Sequence, residues 1–163
     1  MALTADERRD LTDLANRAFK VVEPAMQAYV QASGMPRRFG LGVYDASDGG
    51  ASFDPSTLES RAIADYRIDP ENWGDRDYIA TVRRKLSVAI RTGRDTADVA
   101  RNAPELFLEG DIRAPGGVIG EVGSRPIAIG GSGFRGPEDA VFASLMLEAM
   151  KRLHGDYDQA PAR

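Results

Sequence analysis

The chain has 163 residues, 42% of them hydrophobic and 28% charged, which suits a single globular domain with a sizeable core. Its 21 basic and 25 acidic residues are interspersed and leave a net charge of −4, so no basic stripe exists for nucleic acid to bind. Cysteine is absent, which excludes disulfides, thiolate metal sites and cysteine nucleophiles together.

The N-terminus, MALTADERRDLTDL, has no apolar signal core. No apolar stretch approaches the ~18 residues of a membrane span, and the expectation is a cytoplasmic protein without membrane contact. Thr4 and Glu7 have capping-box spacing. From Leu11 through Leu14, Ala18, Val22, Met26 and Tyr29 the apolar positions recur at three and four, predicting an amphipathic helix. Pro24 lies inside that pattern and predicts a kink or an end near Glu23. Gly34 and Pro36 close the segment.

RFGLGVYDA follows, with Phe39, Leu41 and Val43 alternating against glycines, a strand with one thin face. A loop rich in Gly, Ser and Asp occupies Ser47 to Ser60, and RAIADYRI (Arg61 to Ile68) alternates as a second strand. Asp75 or Asp77 starts the next helix, whose face is Tyr78, Val82, Leu86 and Ala89 and whose end is Gly93. DTADVARNAPELF reads as short helical turns, and GGVIGEVGSRPIAIGG as a hairpin turning at Gly123-Ser124. The last helix carries Pro137 at its start, Glu138 and Asp139 in its first turn, Lys151, Arg152 and His154 in its last, and Gly155 beyond. The order α-β-β-α-β-β-α predicts an α+β fold, with residues 1–155 as one domain and 156–163 as a disordered tail.

Gly131, Gly133 and Gly136 spell G-x-G-x-x-G, but no strand follows the helix after them, so a dinucleotide-binding unit is not formed. Two readings stay open for this loop. It is either a tight turn with a solvated arginine, or an anion site in which amides and Arg135 hold a carboxylate or phosphate.

RTGRDT (Arg91 to Thr96), GGV (Gly116 to Val118) and IAIGGSGFRGPEDA (Ile127 to Ala140), in this order and spacing, resemble the GlcG/HbpS-like family, also called the haem-degrading-domain family. The likeness covers roughly residues 10 to 154, with Lys85 at the position of the family's helix lysine. It implies a profilin-like α/β/α sandwich around an antiparallel sheet, a homo-oligomer, and relatives that bind haem. The long 47–60 loop and the enlarged RIDPENWGDRD stretch with the single Trp73 depart from the family pattern, which points to a different ligand.

The residues themselves require no cofactor. Haem rests on the resemblance alone, with His154, Tyr66 and Tyr78 as the available ligands. No metal-binding motif is present. The ligand-binding reading places an anionic or aromatic small molecule against Asn72, Trp73, Gly116, Gly117, Gly131 and Ser132, with Gly133 and Phe134 beside them. The alternative is a cofactor-free isomerase or lyase acting on a small acid, with Asp75, Lys85 and Arg135 as catalytic residues. Each residue also has a plain structural role open to it: Asp75 as an N-cap, Lys85 in a salt bridge, and Trp73 in packing.

Overall fold

The computed structural model describes residues 2–155. Helix α1 (Ala5–Ser33) begins with the expected capping box, in which Thr4 accepts from the Glu7 amide and Glu7 accepts from the Thr4 amide. Helix α1 continues through Pro24 and does not end near Glu23. Pro24 and Lys20, whose carbonyl loses its usual amide partner, both lie on the exposed face, while Val22 and Met26 stay in the core. Water can satisfy that carbonyl, and packing of the buried face holds the helix together.

Strands β1 (Phe39–Asp45) and β2 (Ala62–Ile68) precede helix α2 (Tyr78–Thr92), which Asp77 caps through the Ala80 amide. A short helix α3 (Thr96–Asn102) follows. The β3 (Gly117–Val122) and β4 (Arg125–Ser132) hairpin turns at Gly123-Ser124 as the sequence predicts, and α4 (Gly136–His154) ends at Gly155 in the left-handed region. The sheet is antiparallel throughout, in the order β2-β1-β4-β3. Backbone amides of edge strand β3 meet side chains at the start of α3: the Asp95 carboxylate accepts from the Ile119 amide and Thr96 Oγ1 from the Gly117 amide. That capping blunts the edge against further strand pairing.

Alternation along β1 divides the protein into three layers. Phe39, Leu41 and Val43 join Ile127 and Ile129 in the core beneath α1 and α4. Tyr44 and Ala128 face α2, where they meet Val82, Leu86 and Ile90. On that second face Gly42 pairs with Gly130 and Gly130 with Gly117, a glycine row across three strands. A Cβ on Gly130 would sit 2.8 Å from Val82 Cγ1, and one on Gly117 would sit 3.1 Å from the Lys85 carbonyl. Helix α2 therefore rides on bare backbone, which explains the thin strand face seen in the sequence. The 47–60 loop covers the C-terminal half of α2, burying Phe53 and Leu58 in the same cluster while the Gly50 amide donates to the Ile90 carbonyl.

Candidate functional site

The two ends of the sheet differ in what their charges do. At the end formed by the start of β1, the end of β4 and the first turns of α2 and α4, Lys85 crosses from one layer to the other. Its Nζ donates to Asp139 Oδ2 at 3.0 Å and to the Gly131 carbonyl at 2.9 Å, and both charged side chains are under 5% exposed. Asp139 Oδ1 accepts from the Phe134 amide. Burial pushes the Asp139 carboxyl upward, against the downward pull of Lys85 and of that amide. Gly116, at a φ of +128°, makes room for the lysine: a Cβ there would lie 2.6 Å from Nζ.

Most residues singled out by the sequence gather at this glycine end. Gly116, Gly117 and Gly131 surround Lys85, and Ser132 pairs with Gly40, whose missing Cβ accommodates Tyr78. Gly133, at φ +138°, lies against the Arg38 carbonyl, and Phe134 stacks on Phe39. Trp73 is buried, donates its indole N–H to the Ile68 carbonyl and packs edge-on to Tyr78. Asn72 and Asp75 are exposed in the turns before α2. Arg135 is 72% exposed and pairs with Glu138 three residues on. Three polar atoms near this end, Arg38 Nε, Tyr78 Oη and Glu138 Oε2, are buried without a hydrogen-bond partner.

At the opposite end, where the β3–β4 turn meets the start of α1 and the end of α4, a cleft of about 350 Å³ opens. Leu3, Leu11, Leu14 and Val122 give it an apolar floor. Arg125, the first residue of β4, projects into its lining between two carboxylates. Its Nε is 3.7 Å from Asp45 Oδ1 and its Nη2 is 3.7 Å from Glu7 Oε2. These are ion-pair distances but too long for hydrogen bonds, and both nitrogens are without hydrogen-bond partners.

The same carboxylate oxygens hold other donors. Asp45 Oδ1 accepts from both the amide and the hydroxyl of Ser47, and Glu7 Oε2 accepts from the Thr4 amide in the capping box. The Thr4 bonds, aided weakly by Arg125, hold the exposed Glu7 carboxyl below its ordinary range. His154 closes the rim, close enough that a Cβ on Gly123 would approach its Cε1 to 2.8 Å. Asp10 lines the cleft one turn along α1 from Glu7.

Sequence reasoning missed this cleft. Glu7 reads only as a cap, Asp45 as the end of a strand, and Arg125 as a turn-flanking residue before Pro126. Their convergence joins three distant segments, and only the apolar spacing of Leu11 and Leu14 hinted at a face beside it. Among the described residues no His, Cys, Asp and Glu grouping suitable for a metal ion occurs, and no helix is long and apolar enough to cross a membrane.

No sequence-family model matches the chain, and no curated protein sequence does. Solved structures do. The Streptomyces reticuli HbpS double mutant superposes with a TM-score of 0.58 at 20% identity, over 91% of this chain and 86% of that one. The Klebsiella pneumoniae protein ORFY, assigned to DUF336, gives 0.58 at 16% identity over 85% and 88%. A PduOC:haem complex gives 0.51 at 17% identity over 91% and 95%. The chain therefore has the HbpS/DUF336 fold, an α+β fold and that of the family its sequence resembles.

Proposed function

We propose that this protein binds a small carboxylate-bearing molecule in the cleft at the hairpin end. The observation that carries this reading is Arg125: a guanidinium held by the charge of Glu7 and Asp45, hydrogen-bonded by neither, and set in the lining of an apolar-floored cleft. Nε and Nη2 lie beneath the surface, so a ligand carboxylate accepts from them once the Arg125 side chain turns toward the cleft, and a charge-assisted bond to it is stronger than a neutral one. The cleft volume of about 350 Å³ sits near the lower end of the ~300–1,000 Å³ typical of small-molecule pockets, which favours a compact ligand.

Haem is the second reading, supported by the PduOC:haem complex among the structures of this fold. One of its two carboxylates suits Arg125, the other meets no second Arg or Lys among the described lining residues, and His154 on the same rim is an axial-ligand type. The tyrosines fit less well. Tyr66 donates to Asn16 and stacks on Phe19, and the Tyr78 hydroxyl is buried, with its ring packed against Trp73. Where haem binds, it supplies iron chemistry; this chain contributes the rim imidazole and a guanidinium for a propionate.

The test is a pair of titrations on the full chain. Haemin is followed through the Soret band, and 4-methylpentanoate through thermal unfolding. A saturable response to either, weakened at least tenfold in Arg125→Gln, supports the reading. No saturable response to both, in protein that unfolds cooperatively, overturns it.

A further inference from the structure

Among the described residues Arg125 is the one arginine or lysine lining the hairpin-end cleft, and it faces more negative charge than it cancels. Glu7 and Asp45 flank it at 3.7 Å, and Asp10 adds a third carboxylate to the same region. Asp10 has only Arg9 beside it, at 3.9 Å, with both side chains more than two-thirds exposed, so that pairing is weak. A simple anion drawn to Arg125 would meet this surplus of like charge. A ligand that also carries a positive group would relieve it.

From this arrangement we infer that the cleft takes an α-amino acid with an apolar side chain. The inference rests on the carboxylate reading above and names its substrate class. The ligand carboxylate accepts from Arg125. Its ammonium lies toward Glu7 and Asp10, which share one face of α1 three residues apart. Glu7 stands 3.7 Å from Arg125, so the positive and negative groups of the ligand must be close together, as they are across one α-carbon and not across a longer chain. The side chain settles on Leu3, Leu11, Leu14 and Val122. Specificity follows from pairing: a molecule lacking either charged group leaves Arg125 or the acidic pair without its partner.

The experiment uses four probes on the full chain, read by calorimetric titration and by the shift in unfolding temperature: L-leucine, 4-methylpentanoate, 3-methylbutylamine and L-serine. Saturable binding of L-leucine is expected, with each of the other three at least tenfold weaker. In Asp10→Asn, an exposed change that leaves the fold intact, leucine binding falls at least tenfold while 4-methylpentanoate binds as well as before or better.

If 4-methylpentanoate or haemin binds and leucine gains nothing over them, the carboxylate reading stands and this inference falls. If the amine matches leucine, the role given to Arg125 falls, and with it both readings. Absence of binding by all four probes and by haemin also removes both. Unchanged leucine affinity in Asp10→Asn overturns the ammonium assignment by itself.

Discussion

The two ends of the sheet hold charge in opposite ways. At the glycine end, Lys85 finds a carboxylate at 3.0 Å and a carbonyl at 2.9 Å, and its partner Asp139 also takes the Phe134 amide. At the hairpin end, Arg125 has two carboxylates within 3.7 Å and a hydrogen bond to neither. Both pairings count as salt bridges, yet only the first is closed. A buried charge whose hydrogen bonds are complete pins layers together, whereas one held by charge alone beside a cleft still has bonds to give. On the function proposed above, the first pairing is architecture and the second is recognition.

The strongest way to break the comparison is at Lys85 and Asp139. Replacing Asp139 by Ala leaves an uncompensated buried ammonium and is expected to cost about 3–5 kcal/mol in a urea denaturation. Replacing both, as Lys85→Met with Asp139→Leu, should restore most of that loss, because a well-packed apolar pair often matches a buried ion pair. Failure of the double variant to recover would give the pair a role beyond holding α2 to α4.

Next in size is the glycine row beneath α2. Gly130→Ala places a methyl 2.8 Å from Val82 Cγ1 and 3.1 Å from Leu86 Cγ. The crowding is expected to cost about 1–3 kcal/mol by the same measurement and to leave ligand affinity at the hairpin end unchanged.

How much of this was legible beforehand follows from the range of each interaction. The Thr4 capping box, the Gly93 and Gly155 helix ends and the Gly123-Ser124 turn are local, and the sequence shows them directly. Pro24 does not end α1 because the rule for proline concerns a lost hydrogen bond, and solvent exposure of Lys20 makes that loss cheap. Lys85 stood out as the lysine of the family resemblance, with a salt bridge as its plain structural role, but its partner lies 54 residues away. Arg125 carried no such sign. Its neighbours come from the first helix turn and from the end of β1, and only the closing of the sheet brings them together.

A smaller effect concerns pH. Burial pushes the Tyr44 hydroxyl, which donates to Asp65 and accepts from Arg83, up to about 12 from 10.0. Between those values the unfolded chain loses this proton and the folded one keeps it, so the folded state binds more protons and stability falls as pH rises. Tyr66, likewise raised to about 12 by burial, adds to the same slope. Tyr44→Phe should flatten part of the decline when denaturation midpoints are compared from neutral pH upward. A decline of unchanged steepness would remove Tyr44 from this account.

The smallest expected effects decide between the two ends as binding sites. Asp75 and Arg135 are exposed at the glycine end, and Arg135 has only its neighbour Glu138 as an ion-pair partner. Surface changes of this kind typically move stability by no more than about 0.5 kcal/mol. If recognition resides at the hairpin end, Asp75→Asn and Arg135→Ala bind leucine and 4-methylpentanoate as the parent chain does, while Arg125→Gln does not. The reverse pattern, affinity lost in Arg135→Ala and kept in Arg125→Gln, would move recognition to the glycine loop. There the unpartnered Arg38 and Tyr78 atoms would become the groups to test, and incomplete hydrogen bonding at Arg125 would have to be filled by water alone.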